Sequence, residues 1–527
     1  MKKNIYWGIG LYSMYILWSL SAFQVIEAVL LLSILIFLPV VYELLYTTKR
    51  DGSPLLFHTL IVKLYPLAAA CALFAFVWES SLLAIVWWLY GILLALFAVM
   101  KCLERGWRPL HELAIDSGFM YVALGGFWVF ASVAKLEWLG FSETIVLLTA
   151  VHFHYSSLFI PIFAGLVGRK MVHHSKWFQA MLVIIIISPM TVAIGITYSR
   201  VIEWLAVCVY LVSLYMYGFY VVKASFQSRM ATLLVRLSAF ILLITIAFSL
   251  IYAYGRLQYT LTISIETMVW IHGVANAVGV IFVALLGWKV EKTTALFSYY
   301  GKPMSRIYGL HNIPWLPKEK DTGLVDDMAL FQSSTFHVEK LSPLIRTFYE
   351  QPESFSMQAR IQWAGWFKPF AFLYAMISKK TKQIHLGMNT SWQHITGEIV
   401  PVDSKKDGRQ HVRAWIRKNE QHETMFVALY SHYEWEGEVY MNIALPLPFS
   451  NMTGILRLQN EENHLLISSK SGLETGIYLH FPKWTITLPL SETFLIVQTS
   501  ETELKADHSM KIFGLKFLHI AYQLTNE

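Results

Sequence analysis

Charge is scarce in this chain: only 15% of its 527 residues are Asp, Glu, Lys or Arg, against about a quarter in a soluble protein. Cysteine is scarcer still. Cys71, Cys102 and Cys208 lie in or beside apolar runs, with no CxxC pair, which excludes a disulfide framework and a Cys-based zinc site. No GxxxxGK[ST] loop is present to cradle nucleotide phosphates, which disfavours ATP-driven transport. No HExxH helix and no nucleophile–base signature appear either. The net charge of +7 is confined to one half of the chain. Residues 1–292 hold 19 Lys and Arg against 12 Asp and Glu, whereas residues 293–527 hold 23 of each. The second half therefore lacks the basic surplus of a nucleic-acid-binding domain.

What the sequence has instead is hydrocarbon: 56% of its residues are hydrophobic and its mean hydropathy is +0.48. Crossing a bilayer takes about 20 apolar residues in a helix. Ten runs meet that length, at 5–23, 26–46, 59–78, 81–100, 116–136, 143–167, 178–198, 201–222, 231–253 and 267–288. The first follows a basic start, as a signal peptide would, but is longer than a signal core and reads as a spanning helix. With the N-terminus inside, fourteen loop cations fall on the cytoplasmic side. Only Lys135, Arg200 and Arg256 fall outside. The positive-inside bias thus predicts a multi-pass protein of the cell membrane with both ends cytoplasmic. Pro39, Pro66, Pro161 and Pro189 interrupt the runs, each removing one backbone donor.

Polar residues inside such runs are functional candidates, because hydrocarbon makes them expensive. "HFHY" places His152 and His154 in the sixth run, and "WIHGVANAVGV" places His272 and Asn276 in the tenth. Residues two apart on a helix point about 200° apart, so His152 and His154 cannot share one metal on regular backbone. His272 and Asn276, four apart, share a face. At 1.5 Å per residue, His152 lies roughly 14 Å, Asn276 roughly 13 Å and His272 roughly 8 Å from the outer helix ends. That common depth predicts one binding site, with the sixth and tenth spans as neighbours. Gly273 and Ala277 offer a small-xxx-small approach for another helix. A buried histidine that merely donates to a carbonyl is the plainer reading of each residue. Metal ligation by these histidines, including axial haem ligation, is the alternative chemistry.

A second group, "HELAIDSGFMY", puts Glu112 and Asp116 on one face at the inner end of the fifth run. With Arg105 and Arg108 just before them, they form either an ion-pair network or a proton relay. His173 and His174 sit among loop cations and read as a solvated basic loop.

After a linker at 293–324, residues 325–527 change character. "LSPLIRTFYEQ" reads as a short helix with Ser342 as N-cap and Pro343 in the first turn. "WAGWFKPFAFLYAMISKKTK" is too short for an eleventh span. It lies either on the inner leaflet, its lysines near anionic headgroups, or packed under a sheet. The rest alternates with period two. Strands are expected near 384–388, 395–402, 411–418, 424–435, 437–447, 455–470 (a hairpin about 460–463), 477–481, 484–488, 493–498 and 511–524. The expected architecture is an α-helical polytopic membrane domain of about ten transmembrane helices, then a cytoplasmic β-rich (α+β) domain built as an antiparallel curved sheet or barrel.

The ten-span half, "HFHY" leading into "FAGLVGR", the later "HGVANAVG" and the tail "MKIFGLKFLHIAYQL" resemble the YndJ-like family of bacterial membrane proteins. The resemblance implies a shared topology and makes both histidine-bearing helices family features; it supplies no reaction, ligand or cofactor. The leading expectation is a membrane protein that binds, and translocates, a small or lipid-like molecule at His152, His154, His272 and Asn276. A metal-dependent membrane enzyme using the same histidines is the second, and a non-catalytic sensor or scaffold the third. Membrane lipids are the expected partners, and nucleic acid is not.

Overall fold

The computed structural model describes residues 2–19, 24–46, 56–107, 109–136, 140–260, 263–291, 302–318, 322–381, 383, 385–388, 390–470, 474–482 and 484–527. Residues 293–301 of the expected linker, and the loop cations Lys49, Arg50, Arg108 and Lys292, lie outside them. The chain divides into two compact units, Met1–Gly301 and Lys302–Glu527.

The first unit is helical. It comprises α1 (Lys2–Trp18), α2 (Val25–Leu44), α3 (Phe57–Val77), α4 (Ser81–Arg105), α5 (Leu110–Val133), α6 (Glu143–Arg169), α7 (Lys176–Tyr198), α8 (Arg200–Lys223), α9 (Arg229–Leu257) and α10 (Ile265–Glu291). Nine of these, α2–α10, are long and apolar enough to cross a membrane among the described residues. In α1, 17 residues are described, and the expected end of its run at 20–23 lies outside them. Five successive spans, α6 to α10, begin with a serine N-cap: Ser142, Ser175, Ser199, Ser228 and Ser264 each accept from a backbone N–H three residues on. A capped start satisfies one of the donors that a helix end leaves open.

Two spans are irregular at their prolines. In α2 the turn Ser33–Phe37 is a π-helix just before Pro39. Pro39 has no N–H for the carbonyl of Leu35, four residues earlier. The Tyr65 hydroxyl, on α3, sits 2.9 Å from the Ile34 oxygen and 3.0 Å from that of Leu35, and donates there. Span α6 breaks after His154 and resumes at Phe159, one turn before Pro161, where the missing donor predicts the distortion. Gly8 lets α1 cross α2 closely, since a Cβ there would meet the Leu35 oxygen.

The second unit is a closed antiparallel barrel. Its strands are β1 (Phe355–Trp363), β2 (Gln393–Pro401), β3 (Arg413–Lys418), β4 (Thr424–Trp435), β5 (Glu438–Leu447), β6 (Ser450–Glu461), β7 (His464–Ser468), β8 (Gly476–Phe481), β9 (Trp484–Thr487), β10 (Leu490–Gln498), β11 (Glu503–Ile512) and β12 (Leu515–Asn526). Order runs β5-β4-β3-β2-β1-β12-β11-β10-β7-β6, and β5–β6 pairing closes the ring, with the β8–β9 hairpin hydrogen-bonded beside β6. Closure removes the open strand edges that invite aggregation. Alternate residues such as Met357, Ala359 and Ile361 of β1, and Leu518, Ile520, Tyr522 and Leu524 of β12, fill the core. Helix α11 (Pro343–Glu350) adds Leu344, Ile345, Phe348 and Tyr349 to it.

Several expectations need correction. The stretch 511–524 is not one strand but the end of β11, a turn, and most of β12. Phe513 and Gly514 both adopt positive φ (48° and 85°), the backbone that two-residue hairpin loops require. Strand β1 was not foreseen, and 385–388 forms no strand. Ser342 occupies the N-cap position with Pro343 in the first turn, but its side chain makes no capping bond; its hydroxyl donates to Gln498 instead. The part of the linker that is described is largely not free: Ile307 and Ile313 pack with Val402, Val412 and Ala414. Ser305 donates to Asp407 (2.6 Å), itself buried and bidentate with Arg409 (2.7 and 3.1 Å). Pro303, Gly309, Pro314 and Pro317 leave 302–318 no strand or helix period, yet its apolar residues pin it to the barrel.

Burial holds the His432 imidazole below its ordinary pKa, and neighbouring His411 adds to that, while Asp326 opposes it. The folded barrel therefore binds fewer protons than the unfolded chain, whose histidines titrate near ~6.5, so stability falls as pH drops through that value. Residues 302–527 expressed alone should give a β-type circular dichroism spectrum and melt at lower temperature at pH 5 than at pH 7.5. His432→Gln should shrink that difference; a predominantly helical spectrum would refute the autonomous barrel.

Candidate functional site

The two histidines of "HFHY" part company, as their angular separation requires. His154 is fully buried. Its Nδ1 lies 2.8 Å from the Ala150 oxygen and its Nε2 3.1 Å from Trp87 Nε1. An indole N–H can only donate, so Nε2 is the acceptor and Nδ1 carries the proton. The ring stacks near Trp87 at 5.8 Å and needs the bare backbone of Gly125, where a Cβ would approach Cε1 to 2.7 Å. Both nitrogens are in use. His154 therefore ties α6 to α4 and α5, and does not join His272 and Asn276 in the expected four-residue site.

His152 faces the other way. It is exposed, its Nδ1 donates to the Leu148 oxygen at 2.7 Å, and it lies within electrostatic range of His272. Span α2 packs against both α6 and the first half of α10. The backbone of α10 is π-helical over Val269–Val274 and Asn276–Phe282, a distortion that recurs at functional sites. There His272 and Asn276 meet two hydroxyl residues of α9. Thr245 Oγ1 lies 2.5 Å from Asn276 Oδ1, and Ser249 Oγ lies 3.2 Å from His272 Nδ1. Nδ1 of His272 is also 3.1 Å from the Thr245 carbonyl and 3.1 Å from Asn276 Nδ2. The first partner requires a proton on Nδ1 and the second requires its absence, so the cluster can exchange donor and acceptor roles by a change of tautomer. Gly273 does not serve as a close-packing notch, since nothing but its own helix lies within 4 Å of an added Cβ. Ala277 alone is buried.

Thr245 and Ser249 were missed from sequence. Their signal was an i, i+4 hydroxyl pair on α9, ordinary in membrane helices and informative only once α10 is placed beside it. Among the described residues no three His, Cys, Asp or Glu side chains gather as metal ligands.

The opposite end of the helical unit carries buried charge. Asp116 takes Lys101 at 2.9 Å and Arg105 at 2.7 Å, all nearly free of solvent. Glu112 takes Arg169 in a two-point fork at 2.6 and 2.9 Å. His174 is not a free loop residue: its Nε2 lies 2.9 Å from the Gly168 oxygen and its ring 4.7 Å from that of His111. Lys170 pairs with Glu291, whose carboxylate also accepts from Gln227 N at 3.0 Å and Ser228 N at 3.3 Å. These contacts lock α4, α5, α6 and α10 together. The arrangement is one of fixed ion pairs, with no open carboxylate for a relay at Glu112 or Asp116.

Removing one partner of a buried pair strands the other. Asp116→Asn should cost about 3–5 kcal/mol, read as a large fall in the detergent-solubilised melting temperature. Glu79→Gln, which breaks the exposed pair with Lys135, should leave that temperature unchanged. Equal melting of the two variants would refute the lock.

Comparison with known proteins places this architecture. The family model for YndJ-like protein matches residues 28–280, the stretch that holds both histidine motifs and the buried ion pairs of Asp116 and Glu112. The "Uncharacterized membrane protein YndJ" of Bacillus subtilis (strain 168) is 42% identical over 515 residues, covering 95% of this chain and 94% of that protein. No solved structure matches. The alignment runs through the helical unit and the barrel alike, and the chain belongs to the YndJ-like family of membrane proteins.

Proposed function

We propose that this multi-span protein binds a small polar molecule, or the hydroxylated headgroup of a lipid, within the membrane at His272, Asn276, Thr245 and Ser249, with His152 at the edge. The observation that carries this reading is the partly buried cluster around His272, whose ring nitrogen has two competing partners on π-helical backbone. Its groups are two imidazoles, an amide and two hydroxyls, none with a fixed charge. Such a set suits a hydroxyl-bearing ligand, which both donates and accepts, better than an ion. Ordered polar groups in hydrocarbon cost several kcal/mol when unsatisfied, which supports a role beyond packing.

A ligand at a hundredfold excess over its Kd stabilises a protein by about 2.7 kcal/mol. Purified protein should therefore gain melting temperature from phosphatidylglycerol or a glycolipid, and lipid extracted from it should be enriched in that species. The double variant His272→Phe with Asn276→Leu should fold and lose both effects. Retention of the shift by that variant would overturn the proposal.

The charge bias of the loops supports a cell-membrane orientation with both ends in the cytoplasm. Reporter fusions after residues 50 and 527 should then score inside and a fusion after residue 140 outside. An outside score at residue 527 would reverse the assignment.

A further inference from the structure

Helix α12 (Lys368–Thr381) is amphipathic in the wrong sense for a water-facing helix. At 100° per residue, Ala371, Tyr374, Ala375 and Ser378 share one side and Phe372, Leu373 and Met376 the other, with Phe370 at the boundary. The small side meets the barrel: Ala371 and Ser378 are buried, and Ser378 Oγ lies 3.0 Å from His385 Nδ1. The large side is bare, with Phe370, Phe372, Leu373 and Met376 each at least 60% exposed. A surface helix normally turns its apolar stripe to the core and its polar face to water.

The bare face continues onto a neighbouring element. Trp366 Nε1, in the turn before α12, donates to the Lys516 oxygen at 3.1 Å, and Phe367 packs on Phe517 at 4.7 Å. This sets the β11–β12 turn beside the helix, where Phe513 is 71% and Leu515 62% exposed. The charge here is one-sided. Residues 364–382 and 511–518 contain Lys368, Lys379, Lys380, Lys382, Lys511 and Lys516 and no Asp or Glu, in a half of the chain whose total charge is balanced.

We propose that this face, α12 with the β11–β12 turn, docks the barrel on an anionic lipid surface. An apolar face in a lysine-rich part of the chain enters the headgroup–acyl boundary to a depth of about 5–10 Å, where cations favour anionic headgroups. The surface is within reach, since Lys302 begins the barrel unit eleven residues after Glu291 ends the last span. The inference is independent of the polar cluster around His272.

The test uses the full chain in nanodiscs, with Cys71, Cys102 and Cys208 replaced by Ala. Phe372→Cys and Met376→Cys are each labelled with an environment-sensitive fluorophore, and Glu501→Cys, in the turn at the other end of β11, serves as the control. In discs containing phosphatidylglycerol and a lipid spin-labelled near the top of its acyl chain, both α12 labels should lose at least about half their emission. The control should lose none, and discs of phosphatidylcholine alone or high salt should weaken the effect, as screening requires. Emission from α12 equal to the control would overturn the proposal. So would an apolar spectral shift without spin-label quenching, which would assign the face to a protein partner or a second copy of this chain.

Discussion

In hydrocarbon no water completes an unpaired carbonyl, and this constraint fixes how the first helices assemble. Spans α2 and α6 are both broken near a proline, and side-chain hydroxyls cross-link them there. Ser33 of α2 donates to the His154 carbonyl at the break in α6, and the Tyr155 hydroxyl from that break returns to the Val29 carbonyl of α2. Tyr65 of α3 caps the remaining pair of freed oxygens. The orientation of "HFHY" follows. With Tyr155 and the His154 backbone pinned to α2, the His154 ring is directed at Trp87, and His152 is left on the side of His272.

The helical unit is thereby divided into two chemistries. At one end, carboxylates and cations are matched one to one or better and held nearly free of solvent, an arrangement that resists rearrangement because any single loss strands a buried charge. At the other, neutral groups share hydrogen bonds with partners in excess. The first is suited to holding helices in register and the second to accepting a change of partner.

Much of this was legible in the sequence, because the signals are local. Run lengths set the spans, loop cations set the expected orientation, and period-two alternation set β2 to β7 and β10. What was not legible depends on contacts between distant residues. Nothing near Asp116 announces that Lys101, fifteen positions earlier in a different span, will pair with it. Likewise, nothing near His154 names Trp87. The common depth of His152 and Asn276 was information about height along the bundle, and the 200° between His152 and His154 allowed only one of them to face that side; which one was not legible. Strand β1 carries the same period-two signal, Met357, Ala359 and Ile361 alternating with Gln358, Arg360 and Gln362, but it lies between two helix-like stretches that mask it. The break at Phe513–Gly514 was hidden because an aromatic residue occupies a backbone region usually left to Gly, Asn or Asp.

Closure of the barrel also sets an order of events during synthesis. Strand β1 pairs with β12, joining residues 155 positions apart (Trp363 with Leu518) to 171 positions apart (Phe355 with Asn526). At ribosomal speeds of about 5–20 residues per second, β1 stands without this partner for on the order of 10–30 s. The helices of the first unit have by then been made, and the nascent barrel waits as an open sheet with an unsatisfied edge of the kind that pairs with other chains.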